Sequence, residues 1–466
     1  MIGGGLAGPE AAWQAARHGC RVRLFEMRPR LTTAAHKTGG LGELVCSNSL
    51  KSEAPNSAPW QLKRELRQAG SLLLDCAESA RIPGGQALTV DRVRFSAEIE
   101  RRLERTPGIE LLREEVRSLD ALARAGPVIV ASGPLTSAPL AESLARAAGA
   151  QHLYFYDAIS PIVAADSIDL EHAFAANRYG TGEPDYLNCP LDKNQYDCFN
   201  QALLSAESYP LHEFERPGNC AGVPDNLARE AARYFEACLP LEELARRGPE
   251  TLRFGPFKPV GLRHPRTGRL PYAVLQLRRE DQRAGAWNLV GCQNHLRFAE
   301  QARVLRLIPA LRQAEFLRYG QVHRNTYLNA PAVLLPNLAL RRQPEIYIAG
   351  QLCGTEGYLE AIATGLLAGT LAARYALGLG VTPPPRASAL GSLLAYMQSA
   401  HPASYAPANM TFDLLPPLEN GSRLSRPERH ARICQAAMEA HGHWWRAVQP
   451  APHSVNMELA SVTSPA

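Results

Sequence analysis

Two cysteines stand where a thiol could do chemistry. Cys46 lies in Glu43–Leu50, ELVCSNSL, just inside an apolar entry (Leu44, Val45) and ahead of three small polar residues, Ser47, Asn48 and Ser49. Cys238 lies in FEACLPLEEL, beside Leu239-Pro240, where a proline interrupts a helix. Cys46 can be read as a buried thiol at a turn, a redox thiol or a catalytic one. A disulfide reductase needs a close pair such as C-x-x-C, and the cysteines nearest to Cys46 are Cys20 and Cys76, so the redox pair fails on spacing. A thiol at a helix break can be exposed, and a nearby helix N-terminus lowers its pKa. A lone cysteine is most often a buried structural residue, and composition alone favours that for both. The spacing of Cys189, Cys198 and Cys220 matches no zinc pattern, and no metal is expected.

Two glycine-rich turns could hold a cofactor near such a thiol. Gly3-x-Gly5-x-x-Gly8 opens a helix, and Glu26 ends the next strand 18 residues after Gly8. Glycines there allow a tight turn and close approach to a pyrophosphate at the helix N-terminus, and an acid about that far on binds ribose hydroxyls. The second turn, IAGQLCGTEGY, carries Gly350, Gly354 and Gly357 between a strand and a helix containing Gly365 and Gly369. Small residues let that helix sit close to something flat or to other backbone. Paired sites at opposite ends of the chain favour FAD over NAD as the resident cofactor; the plainer reading of the second is a tightly packed helix.

The bulk composition bounds the rest. The chain has 466 residues, 45% of them hydrophobic, enough for two or three domains and a sizeable core. No run of about 18 apolar residues is present, so no membrane span is expected. The start, MIGGGLAG, lacks the features of a signal peptide. Ten cysteines scattered over this length suit a reduced, cytoplasmic setting. The net charge of +5 is carried almost wholly by arginine, with five lysines. Arginine suits phosphate contacts and base stacking, but a GC-rich genome gives the same bias, and that explanation is favoured for most of them.

The elements that must position these residues follow from periodicity. A beta-alpha-beta start has a helix over Pro9–His18 and a strand over Cys20–Glu26, with only Met1 and Ile2 before the first glycine. Either the first strand is very short or the start is truncated. Residues 30–60 read as loop, Trp60–Ala80 as one amphipathic helix, Ile82–Val93 as a hairpin and Phe95–Arg105 as a helix. PVIVASG is a buried strand. From Tyr154 the texture changes to short strands, turns and aromatics. Helices are expected over Ala228–Arg247 and Ala299–Leu317, and strands at 255–262, 272–281 and 287–296. A strand at Glu345–Gly350, a helix over Gly354–Ala373 and a last helix over Arg426–Val448 complete the chain before a mobile tail.

Several stretches, in order, carry a resemblance: GGGLAGPEAAW, FEMRP, ELVCSNSLKS, LTVDR, FEACLP, TLRFGPFKPVGL, AEFLRYGQVHRNTYLNAP and AGQLCGTEGY. From Met1 to about Val448 the sequence resembles the folate- and FAD-dependent tRNA (uracil-5-)-methyltransferases, the TrmFO family. The resemblance implies an α/β fold in which a split FAD-binding Rossmann-type domain (1–165 and 301–448) holds an inserted α+β domain (166–300), with a tail at 449–466. It implies 5,10-methylenetetrahydrofolate as carbon donor, FAD reloaded by NADPH or NADH, tRNA as substrate, no obligatory protein partner, and ribothymidine in the T loop as product. Uracil C5 is a poor nucleophile; a thiolate adding to C6 makes an enolate that activates it. Cys238 falls at the family's nucleophile position and Cys46 at its second essential cysteine, lining the flavin cleft. Ser47 and Asn48 either supply donors there or cap a turn. His323, Arg324, Asn325, Tyr358 and His295 are implied for folate and flavin, and Lys258 and Arg253 for tRNA. The target uridine is expected to flip out into the cleft between the domains. Cys292 stands where an aromatic is expected and could alter the pocket. Two alternatives are a non-catalytic FAD- or RNA-binding relative and the sister flavoenzyme that modifies wobble uridine with carboxymethylaminomethyl groups.

Overall fold

The computed structural model describes residues 1–33, 35–149, 153–178, 184–209, 239–281, 283–402, 405–418 and 423–451; for 153–159 and 321–325 only the backbone is described. Its first half begins with a parallel sheet that depends on a single residue. Ile2 bridges Phe25 on one side and Val130 on the other, joining Val22–Phe25 and Ile109–Leu112 to Val128–Val130 and Ile346–Ile348. Four backbone hydrogen bonds tie Met1–Gly3 and their neighbours into one ladder: Ile2 to Ile129, Gly3 to Phe25, Phe25 to Met1 and Ala131 to Ile2. The short first strand is therefore a central strand, satisfied on both edges.

Against this sheet pack the first helix (Ala7–Arg17) and the long helix Tyr358–Ala376. A Cβ at Gly365 would stand 2.4 Å from the carbonyl oxygen of Ala7, and one at Gly369 would stand 2.5 Å from that of Ala11. These glycines thus serve backbone-to-backbone helix contact rather than a flat ligand. Helices and sheet share one core that also takes in Ala389–Ser399 and the last helix, Arg426–Val448.

A second core is built on a six-stranded antiparallel sheet, in the order Phe316–Arg318, Ile162–Ala164, Ala286–Leu289, Ala273–Arg279, Tyr186–Leu191 and Phe174–Ala175. Its buried residues run from Val163 to Ala314. Strands Leu153–Ile159 and Gln321–Tyr327 pair antiparallel and carry the chain out to this core and back.

Several sequence expectations change. The expected helix Trp60–Ala80 is two, Ala58–Gln68 and Leu72–Ser79, split at Gly70 (φ +70°) and each capped by a serine side chain, Ser57 and Ser71. Ala299–Leu317 holds a helix only over Phe298–Leu305 and ends as strand Phe316–Arg318. Residues 255–262 are turns. Helices Ala138–Ala148 and Lys193–Ser205 were not anticipated. Of the expected helix Ala228–Arg247, the described part is Leu241–Arg246.

Candidate active site

The glycine loop, the Cys46 loop and the Gly350–Tyr358 turn surround one cavity of about 420 Å³. The three glycines of the first motif do different things. Gly3 (φ +106°) lies against the next strand, where a Cβ would stand 2.4 Å from the carbonyl oxygen of Ala131. Gly8 lets the helix close on its own loop, since a Cβ would fall 1.8 Å from the oxygen of Gly3. Gly5 has nothing within 4 Å of its missing Cβ and borders the cavity.

Glu26 also borders the cavity, and its carboxylate is already organised. One oxygen accepts from Gly4 N at 2.6 Å; the other accepts from Arg28 N at 2.8 Å and Arg28 Nε at 2.9 Å. Burial works to raise its pKa, and the Arg28 contacts with the Gly4 N–H overcome that, so it lies below the usual carboxylate range. Arg28 is itself buried and also pairs with Glu43 at 3.0 Å.

Cys46 is held by Tyr358. The Tyr358 hydroxyl accepts from Cys46 N at 2.7 Å and Ser47 N at 3.2 Å, and donates to Cys46 Sγ at 3.0 Å. Burial, then the neighbouring Cys46, push that hydroxyl well above its ordinary pKa, so it remains a donor. Ser47 borders the cavity and its Oγ accepts from Ser49 N, a local turn. Asn48 faces away. Its amide donates to the carbonyls of Val90, Arg279 and Glu280, and its oxygen accepts from Arg278 Nε at 3.0 Å. It therefore pins the cysteine loop to the second core.

Around this junction gather residues that sequence reasoning missed. Arg278 is buried and borders the cavity. Arg92 pairs with Glu280 at 2.8 Å and donates to the carbonyls of Leu44 and Cys46. Arg318 lies where the charges of Arg92, Tyr358, Cys46 and Glu280 act on it, and its Nε and one Nη are buried with no partner. Lys51 (φ +63°) borders the cavity, pairs with buried Glu360 at 2.6 Å and bonds Asn409. Gly357 leaves room for that pair, since a Cβ would stand 2.5 Å from the free Glu360 oxygen. Glu360 sits two residues after Tyr358, but its partners are about 50 and 309 residues distant, so no local motif announces it.

Other sequence candidates lie elsewhere. Gly350 and Gly357 border the cavity; Gly354 does not, and packs under Tyr405. His295 sits in the second-core loop that follows Cys292, with its N–H on Glu242 and its carbonyl accepting from Tyr209 N. Arg253 spends its donors on Tyr272 O and Glu250 and stacks over the Tyr272 ring, and Lys258 is exposed. Cys292 is fully buried in the second core, away from the cavity. His323, Arg324 and Asn325 lie on the strand paired to Leu153–Ile159, and their side chains fall outside the described residues, as does all of Cys238. Leu239, the residue after Cys238 in sequence, is buried, and Leu241 N bonds to Gln293 O at 2.8 Å.

A dinucleotide-type glycine loop with an acid at the next strand end, closed by a late glycine turn and a thiol, defines a two-part nucleotide-binding fold of the flavoprotein kind. The family model "Glucose inhibited division protein A" matches residues 1–380. A solved structure of Aquifex aeolicus GidA superposes with a TM-score of 0.68 at 16% identity, over 97% of this chain and 74% of that one, a likeness of fold. Methylenetetrahydrofolate--tRNA-(uracil-5-)-methyltransferase TrmFO of Solibacter usitatus is 58% identical over 447 residues, covering 94% of this chain and 97% of that protein. That of Koribacter versatilis is 51% identical over 447 residues, covering 95% and 97%. The chain belongs to the TrmFO family.

Proposed function

We propose how this chain's residues share the work of its family's activity, methylation of uracil C5 in tRNA with methylenetetrahydrofolate as carbon donor and reduced FAD as reductant. The residues present fit FAD. The cradle at Gly5 is open where a Cβ would otherwise stand, Glu26 waits at the end of the following strand, and the cavity continues from there to Cys46 and Tyr358. Gly3, Gly5 and Gly8 would admit the pyrophosphate, and Gly350 and Gly357 would border the ring system. When bound and reduced by NADPH or NADH, FAD supplies the reducing equivalents.

Cys238 is the thiol that adds to uracil C6. The bond from sulfur to C6 forms as the C5–C6 double bond gives its pair toward O4, and C5 becomes the nucleophile toward the one-carbon unit. After capture, the C5 proton leaves and elimination of the thiolate restores the ring. Cys46 handles the proton or carbon at C5. The observation that carries this role is the placement of its sulfur at the cavity, fixed by Tyr358 across 312 residues of sequence. The uridine of the T loop is the target, and the flipped base enters between the two cores. His323, Arg324, Asn325 and Tyr358 serve folate and flavin in this reading. Lys258, which is exposed, serves a tRNA phosphate in this reading, whereas Arg253 is engaged by Tyr272 O and Glu250. For the split domain expected over 1–165 and 301–448, the paired strands Leu153–Ile159 and Gln321–Tyr327 support a crossing to the second core slightly inside those bounds, with Val163 and Val304–Ala314 on the second core's side. A cytoplasmic location goes with the tRNA substrate. Among the described residues no helix is long and apolar enough to cross a membrane.

A single-turnover assay tests this. FAD-loaded protein, unmodified tRNA, labelled methylenetetrahydrofolate and NADPH should yield labelled ribothymidine, and none with Cys238→Ala or Cys46→Ala. Flavin that is bound and reducible while no label reaches tRNA would sink the assignment.

A further inference from the structure

The second core carries one stretch of charge that nothing in the chain answers. From Thr251 to Arg279 there are seven arginines and lysines and no aspartate or glutamate. A bias of composition toward arginine does not by itself remove the acids. Lys258, Arg263, Arg266 and Arg269 are exposed. Among the described residues none of these four stands within ion-pair distance of a carboxylate, while other cations of the same core are neutralised: Arg246 by Glu243, Arg253 by Glu250, Arg297 by Glu207 and Arg303 by Glu300. Like charges gathered in this way repel one another, and a polyanion relieves the repulsion.

The loop that presents them is already ordered. His264 N donates to Arg269 O at 2.9 Å and Gly268 N to His264 O at 2.8 Å, closing a turn in which Gly268 takes φ +65°. Arg263 Nη1 donates to Gly268 O at 3.1 Å across that turn, and the His264 ring lies 5.2 Å from the ring of Phe174. Arg178 clamps the start of the loop, donating to Val260 O at 2.6 Å, to Lys258 O at 2.9 Å and to Gln276 Oε1 at 2.9 Å. Gln276 belongs to strand Ala273–Arg279, and Arg278, two residues on and on the same face, borders the cavity. Two residues of strand span about 7 Å. The clamp therefore sets the cationic loop beside the strand that runs to the cavity, while none of the four cations borders the cavity itself. Guanidinium forks suit phosphate oxygens, and a loop ordered beforehand loses little freedom on binding.

We propose that Lys258, Arg263, Arg266 and Arg269 form a docking arm for the sugar–phosphate backbone of the tRNA, away from the base in the cavity and without regard to sequence. This rests on the tRNA reading above and adds three residues and a mode of contact to Lys258. Each phosphate neutralised contributes about 0.7–0.9 to the slope of log affinity against log salt. Three such contacts give a slope of about 2–3 and on the order of a hundredfold in affinity at about 0.1 M salt.

The test is tRNA affinity by fluorescence anisotropy over a salt series with FAD-loaded full-length protein, a readout that does not depend on turnover. The triple variant Arg263→Gln, Arg266→Gln, Arg269→Gln should bind about a hundredfold more weakly at about 0.1 M salt, with the gap closing as salt rises and the slope reduced by about 2–3. Arg266→Gln alone should reduce the slope by about 0.7–0.9. Flavin reduction by NADPH should be unchanged in both, the check on folding. The loss should be the same factor for tRNA whose target uridine is replaced by another base, since phosphates carry no sequence information. A second triple, Arg105→Gln, Arg124→Gln, Arg146→Gln, removes equal charge from exposed positions on the first core and should leave the slope as in wild type. An unchanged slope in the loop variants, an equal loss in both triples, or a loss that depends on the target uridine would each overturn the arm. Intact tRNA affinity with lost binding to anionic phospholipid vesicles would mark the loop as a membrane contact and overturn it too. Wild type that binds no tRNA would overturn the arm together with the tRNA reading. Wild type that binds tRNA through the loop yet makes no ribothymidine would support the arm and count against the activity alone.

Discussion

Replacing Gly365 with alanine tests whether the glycine loop is positioned from behind, by helix packing. A Cβ at Gly365 would stand 2.4 Å from the oxygen, 2.8 Å from the Cα and 2.9 Å from the carbon of Ala7. Ordinary contact needs about 3.4 Å or more, so the long helix and the first helix must part by roughly 1 Å. Overpacking of this kind costs about 1–3 kcal/mol, against roughly 1 kcal/mol returned by alanine's better helix propensity. The net loss is about 0–2 kcal/mol. Ala7 is the first residue of its helix and directly follows the Gly3–Leu6 turn, so the displacement is delivered to the cofactor cradle. FAD affinity, read by quenching of flavin fluorescence, should fall about tenfold for each 1.4 kcal/mol of this strain felt at the loop. Gly380→Ala is the control, because nothing lies within 4 Å of its missing Cβ. Equal FAD affinity and equal unfolding midpoints for the two variants would refute the reasoning.

Tyr358→Phe removes the acceptor of Cys46 N and Ser47 N and the donor to Cys46 Sγ, leaving two backbone N–H groups without that partner. It should cost about 1–3 kcal/mol locally and speed alkylation of Cys46, mapped by peptide mass spectrometry. Arg318→Met replaces a guanidinium with two buried, unpartnered nitrogens by an apolar chain, so urea unfolding should show equal or higher stability, by up to about 2 kcal/mol, while methylation falls. Glu242 is buried, which pushes its pKa up from 4.5 to about 7. The folded state thus holds a proton that the unfolded state releases. Stability is full below about pH 4.5 and declines by up to about 3 kcal/mol as pH rises through 7. Glu242→Gln should flatten that decline in unfolding midpoints measured from pH 4 to 8.

The parts of the site visible in sequence are those whose chemistry is local. The glycine loop, Glu26 and the Gly350–Tyr358 turn are contiguous patterns, and of the residues singled out in them Gly3, Gly5, Glu26, Gly350, Gly357 and Tyr358 border the cavity while Gly8 and Gly354 do not. The glycines of the long helix show where a pattern stays ambiguous. Gly365 and Gly369 signal close approach, and only the packed partner tells that the approach is to the backbone of another helix. The first strand stayed open in the sequence, between a very short strand and a truncated start, for the opposite reason. A strand of one residue has no periodicity, yet Ile2 is paired on both sides because its neighbours supply the ladder. The arginines around Cys46 could not be singled out from composition, where arginine bias has a genomic explanation. Their role is set by contacts such as Arg278 to Asn48, separated by 230 residues.

Those long-range contacts explain why ELVCSNSL must be read as a joint as well as a site. Cys46 is bonded to Tyr358, at the start of the long helix in the first core, while Asn48, two residues on, is bonded to Arg278, Arg279 and Glu280 at the edge of the second. Arg92 closes the loop from a third side, reaching Leu44 and Cys46 from the first core and Glu280 in the second. A loop anchored in this way has little freedom to move with one core alone, because buried amide and guanidinium groups lose more when left unpaired than they gain when paired. The sulfur's place at the cavity is therefore fixed by the relative position of the two cores. In the proposed reaction the attacking thiol, Cys238, stands three residues before Leu241 of the second core in sequence and the flavin would lie against the first, and the loop of Cys46 is tied to both cores.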